Sequence, residues 1–517
     1  MIEMETAIKH TIFIDGEHLT LEQVLLVARN KAVVKLHVSG KEKLLRSRKI
    51  VERIISSGEV AYGITTGFGK FSDVSISKED CDTLQKNIIM SHSCGIGEPL
   101  PQEAVRAMML LRANSLVKGY SGVRLELVEL LLNMLNSGIH PLVPCKGSVG
   151  ASGDLIPLSH IALAMIGLGE VEYSGKKMSS KDALQLAGLR PISLTAKEGL
   201  ALINGTQYMS ALGCLAVSDA LELFKAASVA AAMSFEALEG IPNAFDPRVH
   251  EVRPHQGQRL CAQLMLRLLK GSELMGREKH KRVQDAYTIR CIPQVHGASL
   301  DAINYVKGVL ETEINSATDN PLIFPNGGDV ISGGNFHGQP LALALDFLAI
   351  AVSELGNISE RRTERMVNPS LNGDLPPFLT RNGGLNSGLM LLQYAAASLV
   401  SENKVLSHPA SVDSIPTSGN QEDHVSMGSI AAHKVRTVVE NVSWVIAAEM
   451  LAASRGMEFI SHKVGQGTGI AYRLIREKVP FKDADQILYE ELNQVHDLLQ
   501  SRLITMEVEK AVGGKLC

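Results

Sequence analysis

The sequence predicts a mainly α-helical protein, a bundle of long helices with a loop-rich N-terminal region that holds the candidate active site. Apolar residues recur at three- and four-residue spacing over long segments, which is the pattern of helices that bury one face. No regular alternation of strand and helix patterns is present, so a doubly wound parallel sheet is disfavoured. We expect two regions, residues 1–205 and residues 206–517, that form one continuous fold.

The N-terminal region combines helices with glycine-rich loops. Residues 17–60 contain few turn signals and predict short helices, whereas residues 62–100 alternate Gly, Ser and Asp with short apolar pieces. Helical spacing returns over residues 101–138, with a break beginning at Gly119 and a C-cap at Gly138. This region therefore predicts many loops on a helical scaffold.

Long helices dominate the rest of the chain. Their apolar patterns cover residues 206–240, 298–314, 340–367, 386–406 and 429–456. Short strands are expected near residues 12–14 and 322–332. Polar loops separate the helices, and loops on a rigid scaffold are where binding and catalytic residues concentrate.

The composition indicates which class of partner the protein binds and in which cellular compartment it works. The chain has 51 Lys and Arg against 55 Asp and Glu, a balance that disfavours nucleic acid and an anionic membrane and favours a small-molecule partner. The seven cysteines form no CxxC pair and are thinly spread, as in a reduced cytoplasmic protein. The first residues lack a basic segment followed by an apolar one, and the most apolar long window, residues 209–238, is interrupted by charges. We therefore expect a cytoplasmic protein without a membrane span.

Two standard site motifs are absent. YGITTGFGK, residues 62–70, has Ile64 and Phe71 where a phosphate loop needs Gly and Ser or Thr. HEVRPH, residues 250–255, spaces its histidines five apart and contains Pro254, which opposes the zinc-binding helix. We expect no metal site.

The stretch GSVGASGDLIPLSH, residues 147–160, singles out Ser152. Asp154 suits a helix N-cap, with Pro157 in the first turn, which leaves Ser152 just ahead of a helix N-terminus, where the dipole favours negative charge. Its GxSG context differs from the GxSxG nucleophile elbow. A serine hydrolase using Ser152 and a helical scaffold without chemistry remain as alternatives.

Six polar segments together resemble the aromatic amino acid lyase family, and the likeness extends from about residue 15 to GTGIAYRLIREKVPF. The segments are YGITTGFG, GSVGASGD, INGTQ, QDAYTIRCIPQVHG, GGNFHG and SGNQEDHVSMG. The resemblance implies a prosthetic group, 4-methylideneimidazol-5-one, formed autocatalytically from Ala151, Ser152 and Gly153, with no external organic cofactor.

The chemistry of that tripeptide follows from its residues. Attack of the Gly153 nitrogen on the Ala151 carbonyl closes a five-membered ring, and loss of water from the Ser152 side chain leaves an alkene conjugated to a carbonyl. The approach is compressed, and a glycine permits it where a Cβ would hinder it. Addition of a nucleophile then places negative charge on the ring oxygen, which nearby donors stabilise.

The resemblance also assigns catalytic residues. Tyr62 matches the proton-abstracting tyrosine, whose ordinary pKa near 10 demands nearby donors or positive charge if it is to act as a base. Asn204 matches the residue that donates toward the prosthetic group and the substrate amine. Phe336 matches a residue packed near the prosthetic group, and Tyr287 lies in the same set of catalytic residues.

Substrate-binding residues are implied in two groups. Arg290 matches the clamp on the substrate carboxylate, a role that suits its planar fork of donors, and Gln284 lines the same site. His92 matches one residue of the imidazole pocket, and Glu422, beside Gln421, can accept an imidazole N–H that a phenyl ring does not offer.

Together with the imidazole pocket, the resemblance implies elimination of ammonia from L-histidine to give trans-urocanate, the first step of histidine degradation. By resemblance, the protein assembles as a homotetramer whose active sites combine loops of more than one subunit.

Overall fold

The structure is a computed structural model that describes residues 11–67, 69–71, 76–77, 80–278 and 281–517. The described residues form two compact units, each built from three segments of the chain. The first unit takes its residues from Met1–Leu215, Lys307–Asp346 and Pro409–His433. The second takes them from Ala216–Val306, Phe347–His408 and Lys434–Cys517. The division at residue 205 stays a prediction.

The first unit is mostly helical. Its first helix begins after Thr20, which exchanges capping hydrogen bonds with Gln23. The break expected at Gly119 and the C-cap expected at Gly138, where φ is 78°, are both confirmed. The helices are Leu21–Ala28, Val38–Ser57, Cys81–His92, Gln102–Val117, Leu125–Ser137, Leu155–Met165, Ser180–Leu186 and Glu198–Ile203.

Short strands accompany these helices. The strands expected near residues 12–14 and 322–332 are confirmed as Thr11–Ile14 and the hairpin Leu322–Phe324 with Asp329–Ile331. Thr11–Ile14 pairs in parallel with Val33–Leu36. Helices are confirmed within residues 17–60, but the strand between them was not predicted and the second helix, Val38–Ser57, has 20 residues and is not short. The other strands are Ile96–Pro99, His140–Pro141, Pro144–Lys146, Glu170–Tyr173 and Lys176–Ser179. Strands of two to four residues are too short to show a period of two in the sequence.

The long helices lie close to where the sequence predicts them. They are Gln207–Ala237, Ile292–Glu313, Gln339–Val367, Met390–Leu406 and Gly428–Gly456. The mainly α-helical fold class is thereby confirmed. The longer of the remaining helices of the second unit are Gln256–Leu268, Gln466–Lys478, Leu488–Gln500 and Leu503–Val512.

Among the described residues, one helix is long and apolar enough to cross a membrane by length and composition. This helix is Gln339–Val367, and 72% of its most apolar window is buried inside the protein. The core helices of globular proteins have the same composition, so the finding is weak evidence for a membrane span.

Candidate active site

The tripeptide Ala151-Ser152-Gly153 lies immediately before helix Leu155–Met165. Gly153 has φ of +76°, in the left-handed region that favours glycine. A Cβ atom at Gly153 would stand 2.3 Å from the backbone oxygen of Gly205. The amide N–H of Asp154 donates to that same oxygen at 2.7 Å. A side chain at position 153 would therefore push two backbone segments apart.

Asp154 occupies the N-cap position of this helix, but its side chain does not cap it. The carboxylate instead accepts the N–H of Met209 at 3.0 Å and hydroxyls of Ser429 at 2.9 Å and Ser148 at 3.5 Å. Burial raises the pKa of the Asp154 carboxyl to about 7, against the lowering effect of these donors. The predicted N-cap position of Asp154 is thus confirmed, but the capping hydrogen bond is absent because donors from distant segments bind the carboxylate.

Asn204 supplies a donor to the tripeptide. It follows helix Glu198–Ile203, and its side-chain Nδ2 donates to the backbone oxygen of Ser152 at 3.0 Å. Its Oδ1 is buried and has no hydrogen-bond partner among the described residues. Buried polar atoms are rarely left unpaired, so this oxygen is available to a ligand N–H.

A cavity of about 900 Å³ in the first unit contains these groups. It is lined by eight residues that the sequence predicts for the site: Tyr62, His92, Ala151, Ser152, Asn204, Phe336, Gln421 and Glu422. Gly153, the third residue of the tripeptide, is buried and does not line the cavity. The cavity also includes Asn320, His337 and His424, which the sequence analysis missed. His337 directly follows Phe336, and His424 lies two residues after Glu422. The two imidazole rings stack at 5.9 Å between ring centroids.

Glu422 lies directly opposite Ser152. In the open-chain tripeptide that the structure describes, the Ser152 hydroxyl donates to Glu422 Oε1 at 2.7 Å. The hydroxyl of Thr417 donates to the other carboxylate oxygen at 2.6 Å. The hydroxyl of Ser152 thus faces a carboxylate rather than an imidazole, which is not the serine–histidine pairing of a hydrolase.

The electrostatics of Tyr62 and His92 are set mainly by burial. Burial raises the pKa of the Tyr62 phenol, Glu422 and Asp319 raise it further, and the Gly69 N–H, 3.5 Å from the oxygen, lowers it. Burial also lowers the pKa of His92, whose Nδ1 lies 3.1 Å from Ser91 Oγ. At neutral pH the phenol is therefore protonated and the imidazole uncharged.

Three predicted residues, Gln284, Tyr287 and Arg290, belong to the second unit and do not line this cavity. The Arg290 guanidinium lies over the Tyr287 ring, 4.6 Å from its centroid. Tyr287 is 71% exposed. The buried Nε of Arg290 has no hydrogen-bond partner among the described residues. Their roles in the site stay predictions.

Comparison with known proteins decides the family. The sequence profile of aromatic amino acid lyases matches residues 19–477. The chain belongs to the aromatic amino acid lyase family. A histidine ammonia-lyase of Caldanaerobacter subterraneus subsp. tengcongensis is 60% identical over 97% of this chain and 99% of its own length.

Solved structures of the family have the same fold. Histidine ammonia-lyase from Trypanosoma cruzi is 45% identical with a TM-score of 0.90, over 97% of this chain and 95% of its own. Tyrosine aminomutase from Streptomyces globisporus is 36% identical with a TM-score of 0.93, over 98% of this chain and 100% of its own. Membership of this family makes the chain a lyase-family enzyme and removes the hydrolase and scaffold alternatives. Within the described residues, no cluster of three His, Cys, Asp or Glu could hold a metal ion.

Proposed function

We propose that this protein eliminates ammonia from L-histidine to give trans-urocanate, the first step of histidine degradation. The observation that carries the proposal is the cavity in which Ser152, Asn204 and Glu422 meet. The relatives named histidine ammonia-lyase, 52–60% identical over nearly the full chain, support the same substrate. A cytoplasmic location accords with this role.

The tripeptide fits the prosthetic group 4-methylideneimidazol-5-one, formed from Ala151, Ser152 and Gly153. Position 153 accommodates only a glycine, as its contact with Gly205 and its positive φ require. The Ser152 carbonyl, which becomes the ring carbonyl, already receives a side-chain donor. Once formed, the group supplies an electron-poor double bond that captures the substrate amine, so no external organic cofactor is needed.

Asn204 performs two functions in this proposal. Its Nδ2 donates to the Ser152 oxygen, where negative charge develops when a nucleophile adds, and a preorganised donor at such an oxygen lowers the barrier. The unpaired Asn204 Oδ1 can accept an N–H from the substrate amine. Ser152 also precedes the N-terminus of helix Leu155–Met165 by three residues, and the partial positive charge of a helix N-terminus favours negative charge nearby.

Glu422 and His92 determine the preference for histidine. The Glu422 carboxylate can accept the imidazole N–H, and Thr417 holds it in place. His92 is uncharged, so it can donate or accept a hydrogen bond without repelling a protonated substrate ring. A phenylalanine ring offers no N–H to the half-buried carboxylate, and an acceptor oxygen that loses water without gaining a donor is costly.

Tyr62 is the proposed base for the β-proton. Its pKa is raised by burial and by the carboxylates Glu422 and Asp319, so this chain alone does not stabilise the phenolate. We therefore propose that a second copy of the chain contributes positive charge through Arg290, together with Gln284 and Tyr287, in a homotetramer. The exposure of Tyr287 and its absence from the cavity lining of its own first unit support this assignment.

A substrate comparison tests the proposal. The purified protein is incubated separately with L-histidine, L-tyrosine and L-phenylalanine, and the unsaturated acid is followed by its absorbance while ammonia is measured independently. We expect urocanate and ammonia in equal amounts with histidine and at most trace product with the other two. A preference for tyrosine or phenylalanine, or a β-amino acid product as an aminomutase would give, would overturn the proposal.

A further inference from the structure

Helix Gln102–Val117 buries an arginine directly behind Asn204. Arg112 is fully buried, and its Nη1 donates to the backbone oxygen of Asn204 at 2.9 Å and to Gln207 Oε1 at 2.8 Å. Gln207 in turn donates from Nε2 to Thr318 Oγ1 at 2.7 Å. One guanidinium nitrogen thus holds both ends of the turn from Asn204 to Gln207.

The backbone of this turn is shaped to admit the guanidinium. A Cβ at Gly205 would lie 2.4 Å from Arg112 Nη1, so a glycine is required for this close approach. The Gly205 oxygen accepts the Asp154 N–H at 2.7 Å. The turn that carries Asn204 is therefore joined to Arg112 on one side and to the end of the reactive tripeptide on the other.

The charge of Arg112 has no ion-pair partner of its own among the described residues. The neighbouring Asp319 is paired with Lys197 at 2.8 Å, and both side chains are fully buried. Nε and Nη2 of Arg112 lack hydrogen-bond partners within the described part of the chain. Burial lowers the pKa of Arg112 to about 10, which leaves it charged at neutral pH. The carboxylate of Asp319 counteracts this lowering, but Asp319 is shared between Lys197 and Arg112, so the three buried groups keep one net positive charge. A buried net positive charge attracts negative charge that develops on nearby groups.

We propose that Arg112 is a positioning residue for the elimination: it fixes Asn204 so that Nδ2 stays on the Ser152 oxygen, and it polarises that donor. The substrate part of this inference rests on the proposed function. Removing the side chain would let the Asn204 turn relax and weaken stabilisation of negative charge on the Ser152 oxygen. Residues that orient metal ligands from behind typically contribute about 10- to 100-fold to activity, and we expect an effect of the same order for a residue that orients Asn204.

Arg106, on the same helix, provides a matched control. It is also buried, but it donates to the backbone oxygens of Val27 and Leu135. None of these residues lines the cavity. A purely structural arginine at position 112 would behave like Arg106, and its loss would lower thermal stability without changing the chemistry of folded enzyme.

The test compares Arg112→Met, Arg112→Lys and Arg106→Met with the unsubstituted enzyme. The thermal midpoint of each variant shows whether it folds. The intact mass shows whether the tripeptide has lost two waters. The rate at which cyanide, a small nucleophile, adds covalently to the protein without substrate is then followed by intact mass. kcat and KM for L-histidine are measured in parallel.

We expect Arg112→Met to slow both cyanide addition and kcat by about 10- to 100-fold with KM changed only a few fold. Arg112→Lys keeps the charge on a shorter, unforked side chain, so about a tenfold loss is expected. Arg106→Met should keep both rates while lowering the thermal midpoint. If Arg112→Met does not fold, Arg112→Lys decides by the same measurements.

Addition and turnover rates like those of the unsubstituted enzyme in Arg112→Lys, or equal losses in Arg106→Met, would overturn the proposal. The cyanide arm separates this inference from the substrate assignment. If the unsubstituted enzyme adds cyanide but does not turn over histidine, the substrate assignment is contradicted. The cyanide rates of the variants then still test the role of Arg112.

Discussion

The closest backbone contact at the reactive tripeptide predicts a large effect for Gly153→Ala. The new Cβ would stand 2.3, 2.6 and 2.9 Å from O, C and N of Gly205, all backbone atoms that cannot rotate away. A left-handed backbone at a non-glycine residue costs about 1–2 kcal/mol. Overpacking adds about 1–3 kcal/mol, and weakening the Asp154 N–H bond to Gly205 adds about 1 kcal/mol. We expect the free energy of unfolding to fall by about 3–6 kcal/mol.

Gly188→Ala isolates the backbone component. Gly188 has φ of +71°, close to the +76° of Gly153, but a Cβ there would meet nothing within 4 Å. Only the left-handed backbone is penalised, so a loss of about 1–2 kcal/mol is expected. Urea denaturation gives the stability of each variant, and intact mass shows whether the two waters are lost. Equal losses for the two variants, with the waters lost in Gly153→Ala, would refute the steric argument.

Three further outcomes follow from the site. Ser152→Ala should abolish turnover with an unchanged circular dichroism spectrum and thermal midpoint, because only the precursor of the double bond is removed; retained turnover would contradict the assignment. Glu422→Gln should reduce kcat/KM for histidine by about 10- to 150-fold, as loss of a charge-assisted hydrogen bond of about 1.5–3 kcal/mol implies, while the mass deficit remains. Unchanged kinetics would contradict a role for Glu422 in substrate binding. Burial lowers the pKa of His92, so its uncharged form persists on acidification. The loss of kcat/KM caused by protonation of His92 should therefore have its midpoint below pH 6.5. A midpoint above that value in a pH–rate profile would contradict this.

The long helices could be predicted because periodicity is a local property of the sequence. Gln339–Val367 and Gly428–Gly456 begin and end within a residue of the predicted segments. The strand Val33–Leu36 was missed, since four residues flanked by helical patterns give too little signal. Asp154 looks like a helix cap for the same local reason, and its actual partners, Met209 and Ser429, are distant in sequence.

In the candidate site, too, the sequence indicated the motif residues but not the contacts between distant segments. Resemblance to the family placed Tyr62, Asn204 and Glu422 in one cavity, as the structure has them. The contact between Arg112 and Asn204 joins residues 92 positions apart, and no local pattern distinguishes Arg112 from Arg106 in the same apolar helix. The net charge around a buried group depends on which distant segments pack against it. A single sequence does not show which segments these are.

The intact mass of the active enzyme tests the central claim most directly. Cyclisation of Ala151, Ser152 and Gly153 followed by dehydration removes two waters, so we predict that the purified active enzyme is lighter than its sequence by the mass of two waters. Peptide mapping should place the deficit in the segment that contains residues 151–153. Full, unmodified mass in a preparation that converts histidine to urocanate would contradict the account.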